Sequence, residues 1–343
     1  IALVPWFIII STGYRTGLFS YLTGFLFFVF NLTWLWSVTG FGWILLALYL
    51  ALYFYVFGLV IHFIRKWLRL PHLFIAPFAW VTFEYLRSFP FFGFPWFFAG
   101  HSQYLHLPLI QIADITGVYG LSFLIVAVNA SIADLIGPLL LKYFHRSEMT
   151  PDVSSVKKGR VFWITIIIPC LLISIALAYG YFDLKGNHAL PNGPNICVVQ
   201  GNIPQGVKIQ ADKEQKKKTL LKYIDLSLKA AGKSVDVIVW PETMVPGILN
   251  ANPKLLDREI DRLSKESVRT ITDATSANLI LGGTAIDVRN AEALYFNTAF
   301  YYDRNGRYVN RYDKIYLVPF GEFIPFEEWL SFFSYIVPYS VSL

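Results

Sequence analysis

Residues 235–246, VDVIVWPETMVP, hold a short β-type apolar run that enters a loop through Pro241 and Glu242. A second run of the same kind lies upstream, NICVVQGNIPQ at 195–205, and also ends in Gly, Asn and Pro. Between them, residues 211–232 space Leu220, Leu221, Ile224 and Leu228 at helical intervals beneath a basic face. The order strand, helix, strand is followed by a second helical stretch at about 253–277 and a third strand in NLILGGTAID, 278–287. YFNTAFYYDRNGRYVNRYDK, 295–314, reads as a hairpin with Asn305 and Gly306 at its turn. This alternation predicts an α/β layered domain over 183–343.

The upstream half has a different texture. The 343-residue chain is 55% hydrophobic and 15% charged, with a mean hydropathy of +0.49, too apolar for an ordinary soluble domain. Nearly all the long apolar runs fall in 1–182, so the reading is a polytopic helical membrane domain followed by the α/β domain. Spans are expected at 17–38, 42–64, 72–88, about 115–141 and 161–181, with 1–12 as a further apolar segment. Loops 13–16, 65–71 and 142–160 carry Lys and Arg, whereas 39–41 and 89–108 carry none. The positive-inside rule puts the basic loops in the cytoplasm and the α/β domain on the extracytoplasmic side. The net charge of +6 is explained by these loops and by one solvated helix face, so no nucleic-acid partner is expected.

Two motifs in the membrane half stand out. The uncharged connection SFPFFGFPWFFAGHSQYLHLP, 88–108, suits a membrane interface, where aromatic rings sit among headgroups. Just before it, WVTFEYLR places Glu84 and Arg87 at i and i+3, neighbours on a helix. The two cysteines, Cys170 and Cys197, offer neither a disulfide framework nor metal spacing.

In α/β layers reactive groups collect at the carboxyl ends of strands, and Glu242 sits at one such exit. Lys314 and Glu322 occupy RYDKIYLVPFGEFIP, 311–325, a stretch otherwise dominated by aromatic and aliphatic residues, Gly and Pro. A carboxylate embedded in apolar surroundings can serve as a general base, and a nearby ammonium can stabilise an oxyanion. These residues alone supply no nucleophile.

VVQGNIPQ, WPETMVP, LGGTA and YDKIYLVPFGEFIP, after a multi-span segment with FEYLRSFPFFGFPW, resemble the apolipoprotein N-acyltransferases, whose catalytic domain is of the nitrilase or carbon-nitrogen hydrolase type. The resemblance implies a nitrilase-like αββα sandwich, incomplete at its C-terminus in this sequence. It also implies a Glu-Lys-Cys catalytic set, carried here by Glu242 and Lys314, with Glu322 at the position of an additional essential glutamate. The family's cysteine lies beyond the Lys motif, and neither Cys170 nor Cys197 fits that place, so an internal fragment is expected. Ile209 stands where many members carry Trp. The implied activity passes an acyl chain from a phospholipid, through a thioester, to the amine of a diacylglyceryl apolipoprotein at the bacterial inner membrane, without a cofactor or metal. A membrane-anchored amidase or nitrilase and an inactive homologue are the alternatives; a transporter is disfavoured because ionisable residues within the spans are few.

Overall fold

The computed structural model describes residues 1–89, 93–143, 159–186, 192–204, 212–250, 259–289 and 292–318. Glu322 and Ile209 lie outside the described residues. The chain divides into two compact units, Ile1–His188 and Ala189–Leu343.

The first unit is helical: α1 Val4–Thr12, α2 Thr16–Asn31, α3 Trp36–Thr39, α4 Gly42–Leu68, α5 Ala76–Leu86, α6 Leu107–Ile110, α7 Ala113–Tyr143 and α8 Gly159–Lys185. Three of these helices are long and apolar enough to cross a bilayer, namely α4, α7 and, from Phe162 onward, α8. The apolar stretches at 17–38 and 72–88 form shorter helices than expected, with 16 residues in α2 and 11 in α5. After α2 the chain tightens into a 3₁₀ turn at Thr33–Leu35, then the brief α3, and turns at Gly40, whose φ is +53°. Before α5, Pro71 precedes another 3₁₀ turn at His72–Phe74. Apolar composition marks what can be buried, but proline and turn geometry decide where the helical ladder starts and stops.

Small residues let α2 and α4 approach closely. A Cβ on Gly58 would fall 1.9 Å from Ser20 Oγ, and one on Gly24 would fall 2.7 Å from Phe54. Around this contact Phe7, Phe28, Leu50, Phe57 and Ile61 are buried, and Trp6 stacks on Phe54 while donating to Ser20 Oγ at 2.9 Å. A buried polar knot ties other elements together. Asp134 of α7 bonds His72 Nδ1 at 2.7 Å and accepts from the Leu73 amide, while Arg65 of α4 donates to Ser11 of α1 at 2.8 Å. Unpaired, such groups would cost several kcal/mol each, roughly, in an apolar setting, and pairing removes most of that cost.

The second unit carries one mixed sheet among the described residues, in the order β1-β2-β3-β4-β5. β1 Ile196–Val198, β2 Val237–Val239 and the start of β3 Asn278–Arg289 are parallel; β4 Glu292–Tyr302 and β5 Tyr308–Asp313 continue it antiparallel. Helix α9, Lys213–Leu228, joins β1 to β2, and α10, Glu259–Thr275, precedes β3. Asp212 caps α9 by accepting from the Gln215 amide at 2.7 Å. The expected strands, helices and late hairpin are all present, and β3 extends the antiparallel part by pairing with β4 from Leu279 to Arg289. At the β4–β5 turn, Asp303 accepts from the amides of Asn305 and Arg307, which hold its carboxyl below the usual carboxylate range. Gly306 takes the left-handed φ of +71° that closes this turn. The core beneath the sheet is built from Tyr223, Trp240, Ile238, Ile271, Leu279, Leu281 and Phe300.

Candidate active site

The site starts at the carboxyl end of β2. Trp240 is buried, donates through its indole to Ser227 Oγ of α9 at 2.8 Å and packs on Tyr223 with ring centroids 5.0 Å apart. This anchor fixes the residue before Pro241 and Glu242. Beyond it, Thr243 adopts a φ of +54°, and Val245 donates to the Gly282 carbonyl at 2.9 Å, so the chain bulges at Glu242 and rejoins β3 further along in a parallel bridge of Val245 with Gly283.

Gly282 makes that path possible. A Cβ there would lie 2.2 Å from the Pro241 carbonyl oxygen and 2.7 Å from Glu242 Cα, both backbone atoms that cannot swing aside. Gly282→Ala is therefore expected to lower the unfolding free energy by about 1–3 kcal/mol, as overpacking does. Displacing Glu242, it should also depress any activity by more than the melting shift alone explains; thermal melting run beside an activity assay checks both, and an unchanged melting curve would refute the clash.

Lys314 arrives from the other side. It follows β5 directly, and its amide donates to the Asn297 carbonyl of β4 at 2.8 Å, extending the β4–β5 ladder by one bond. Its ammonium Nζ donates to Glu242 Oε1 at 3.0 Å. Asn297 uses its side chain on the same carboxylate, Nδ2 donating to Oε1. β4 and the segments that follow β2 and β5 thus bring one amide, one carboxylate and one ammonium together.

Lys314 and Glu242, 72 residues apart, are brought together. Glu322 is not among the described residues. The apolar enclosure expected around the carboxylate is only partial, because the Glu242 side chain is 58% exposed and that of Lys314 28%. Asn297, by contrast, is only 8% exposed and was missed by the motif reading. Its signal was an Asn inside the apolar run YFNTAFYY, at a strand-interior position where Asn is depleted unless its amide has a task.

β5 is braced beside the site. Arg311 grips Asp287 of β3 through two bonds of 3.0 and 2.6 Å and lies 3.2 Å from Asp313, which accepts from Thr298 of β4 at 2.6 Å. The guanidinium holds the Asp287 carboxyl below the usual carboxylate range. Cys197 lies on β1 opposite Ile238, and Cys170 is exposed on α8. Among the described residues no group of His, Cys, Asp and Glu side chains could hold a metal ion.

Residues 1–131 match the model of the apolipoprotein N-acyltransferase N-terminal domain, and residues 195–334 match that of the carbon-nitrogen hydrolases. An apolipoprotein N-acyltransferase of Geobacter metallireducens is 35% identical, over 95% of this chain and 58% of its own length. One of Rhizobium rhizogenes is 32% identical over 73% of the chain and 42% of its length, and one of Photobacterium profundum 26% identical over 96% and 60%. The chain therefore spans less than two thirds of the length of these relatives. With an N-acyltransferase membrane region and a carbon-nitrogen hydrolase region in the same order along one polypeptide, the chain belongs to the apolipoprotein N-acyltransferase family.

Proposed function

We propose that the protein moves an acyl chain from a phospholipid to the N-terminal amine of a diacylglyceryl-cysteine lipoprotein. The observation that carries this is the convergence of Lys314 Nζ and Asn297 Nδ2 on Glu242 Oε1. In this reading Oε1 is held by its two donors, and the carboxylate acts as the base. It takes the proton of a cysteine thiol, and the thiolate attacks the ester carbonyl of the donor lipid. Lys314 stabilises the oxyanion that forms. Collapse breaks the acyl C–O bond, the lysolipid oxygen leaves with the proton held by Glu242, and a thioester remains. The acceptor amine then attacks the thioester, the C–S bond breaks, and Glu242 relays the amine proton to the departing thiolate. The nucleophile is a cysteine other than Cys170 and Cys197, and Glu322 supports the lysine. The alternation of basic loops puts the catalytic unit on the extracytoplasmic face of a bacterial inner membrane. No cofactor is needed for this chemistry.

The test is to give the intact protein, in micelles, a phospholipid labelled in its acyl chain. A hydroxylamine-sensitive label on the protein, passing to the amine of a diacylglyceryl-cysteine peptide, is the expected result. Release of labelled fatty acid with no amide formed would replace this reading with a hydrolase.

A further inference from the structure

β5 is the last strand of the described sheet, pairing among the described residues with β4 alone, and its register is irregular at Tyr301 and Tyr302. Of its six residues, Tyr308, Val309, Asn310 and Tyr312 are exposed, and only Arg311 and Asp313 are partly buried. Burial of apolar side chains therefore contributes little to holding this strand. Its backbone ladder and two charged side chains must do so.

Arg311 reaches further than the ladder. Its side chain leaves β5, passes 5.6 Å from the centre of the Phe296 ring of β4, and ends in the fork on Asp287 of β3. The same guanidinium lies 3.2 Å from Asp313, whose other carboxylate oxygen accepts from Thr298. One side chain thus ties three strands. At 18% exposure for Arg311, 29% for Asp287 and 30% for Asp313, the group is shielded better than a free surface pair, and the two-bond fork fixes its orientation.

Side chains alternate between the faces of a sheet, so Arg311, Asp313 and Thr298 share one face, while Asn297 and Lys314 project from the other. The brace and the candidate site are therefore back to back on the same backbone: Asp313 adjoins Lys314, and Thr298 adjoins Asn297. What fixes Asp313 against Thr298 also fixes Lys314 against Asn297.

We infer that Arg311 is a positioning residue for Lys314: by bridging Asp287 and Asp313 it holds the end of β5 in register, and so sets the approach of Lys314 Nζ to Glu242. It acts through the lysine, from the opposite face of the sheet. The inference rests on the acyl-transfer reading for its rate readout and not for its structural one.

The experiment follows acyl-enzyme formation by the intact protein in micelles. Arg311→Gln is expected to slow it by about 10–10²-fold, the order of loss that a displacement of about 1 Å brings. Arg311→Lys should recover only part, because an ammonium cannot supply the fork. In a Lys314→Met background the Arg311→Gln change should cost almost nothing further, since the residue that the brace positions is gone. An equal loss in both backgrounds overturns the inference, because a general weakening of the fold would appear in each. So does an Arg311→Gln rate equal to that of the unmutated protein. Asp287→Asn weakens the brace from its β3 end and should repeat the pattern, which guards against a folding defect peculiar to the arginine variant. The second readout is amide hydrogen exchange over residues 308–318 in the absence of lipid. Arg311→Gln should speed exchange of the Lys314 amide, which donates to the Asn297 carbonyl, by about tenfold. If the unmutated protein forms no acyl-enzyme, the acyl-transfer reading falls and exchange alone decides whether the brace positions Lys314. Unchanged exchange overturns the inference in either case.

Discussion

Glu242→Gln is expected to cut acyl-enzyme formation by about 10²–10⁴-fold, the usual contribution of a positioned general base. The substitution is close to isosteric, and its amide oxygen can still accept from Lys314 Nζ and Asn297 Nδ2, the two donors that hold Oε1 in the native site. What it removes is the capacity to take a proton. Since the native side chain is 58% exposed, little folding energy depends on it, and the melting temperature should stay within a degree or two. Glu242→Asp makes the complementary test: it keeps a base but withdraws it by one methylene from a contact of 3.0 Å, so part of the rate should survive. The measurement is the initial rate of protein labelling from an acyl-labelled phospholipid, beside a thermal melt. Full labelling by the Gln variant would remove Glu242 from the role of base.

Much of the second unit was legible because its signals are local. The runs around Ile196 and Val237 read as strands from apolar content and their Gly and Pro exits, and Asn305 and Gly306 announced the hairpin. Glu242 stood out as a carboxylate behind a proline at a strand exit. Asn297 did not, because its part depends on pairing: only the β4–β5 register, with Thr298 opposite Asp313, brings Asn297 beside Lys314. The membrane unit shows the same limit. Hydropathy located the apolar stretches, yet α5 keeps only 11 helical residues. Likewise the i, i+3 spacing of Glu84 and Arg87 suggested a charged pair, and the fold instead gives one to Trp80 and Ala99 and the other to Trp96. Spacing fixes which face a side chain shares, while the partner comes from segments whose approach no local pattern encodes.

Lys314→Met should lower the rate of acyl-enzyme formation by about 10²–10³-fold, comparable with removing one oxyanion donor, and slow transfer to the amine similarly. Stability should hardly respond. The pair it forms with Glu242 is partly solvated, 28% and 58% exposed, and such pairs contribute roughly 0–1 kcal/mol. The backbone bond from Lys314 to the Asn297 carbonyl is untouched by the change, so the end of β5 stays in register. Lys314→Arg keeps the charge but exchanges a compact ammonium for a planar fork, and should recover only part of the loss. The double variant with Glu242→Gln separates two ways in which the lysine could act. If Lys314 merely orients the carboxylate, Met at 314 costs nothing further once the base is gone. If it also holds the oxyanion, its full cost persists in the Glu242→Gln background and the two losses multiply. The geometry favours multiplication. Oε1 already has a second donor in Asn297, so the carboxylate keeps an anchor without the ammonium. Residual rates of the two single variants and the double, measured on one lipid, decide between these accounts.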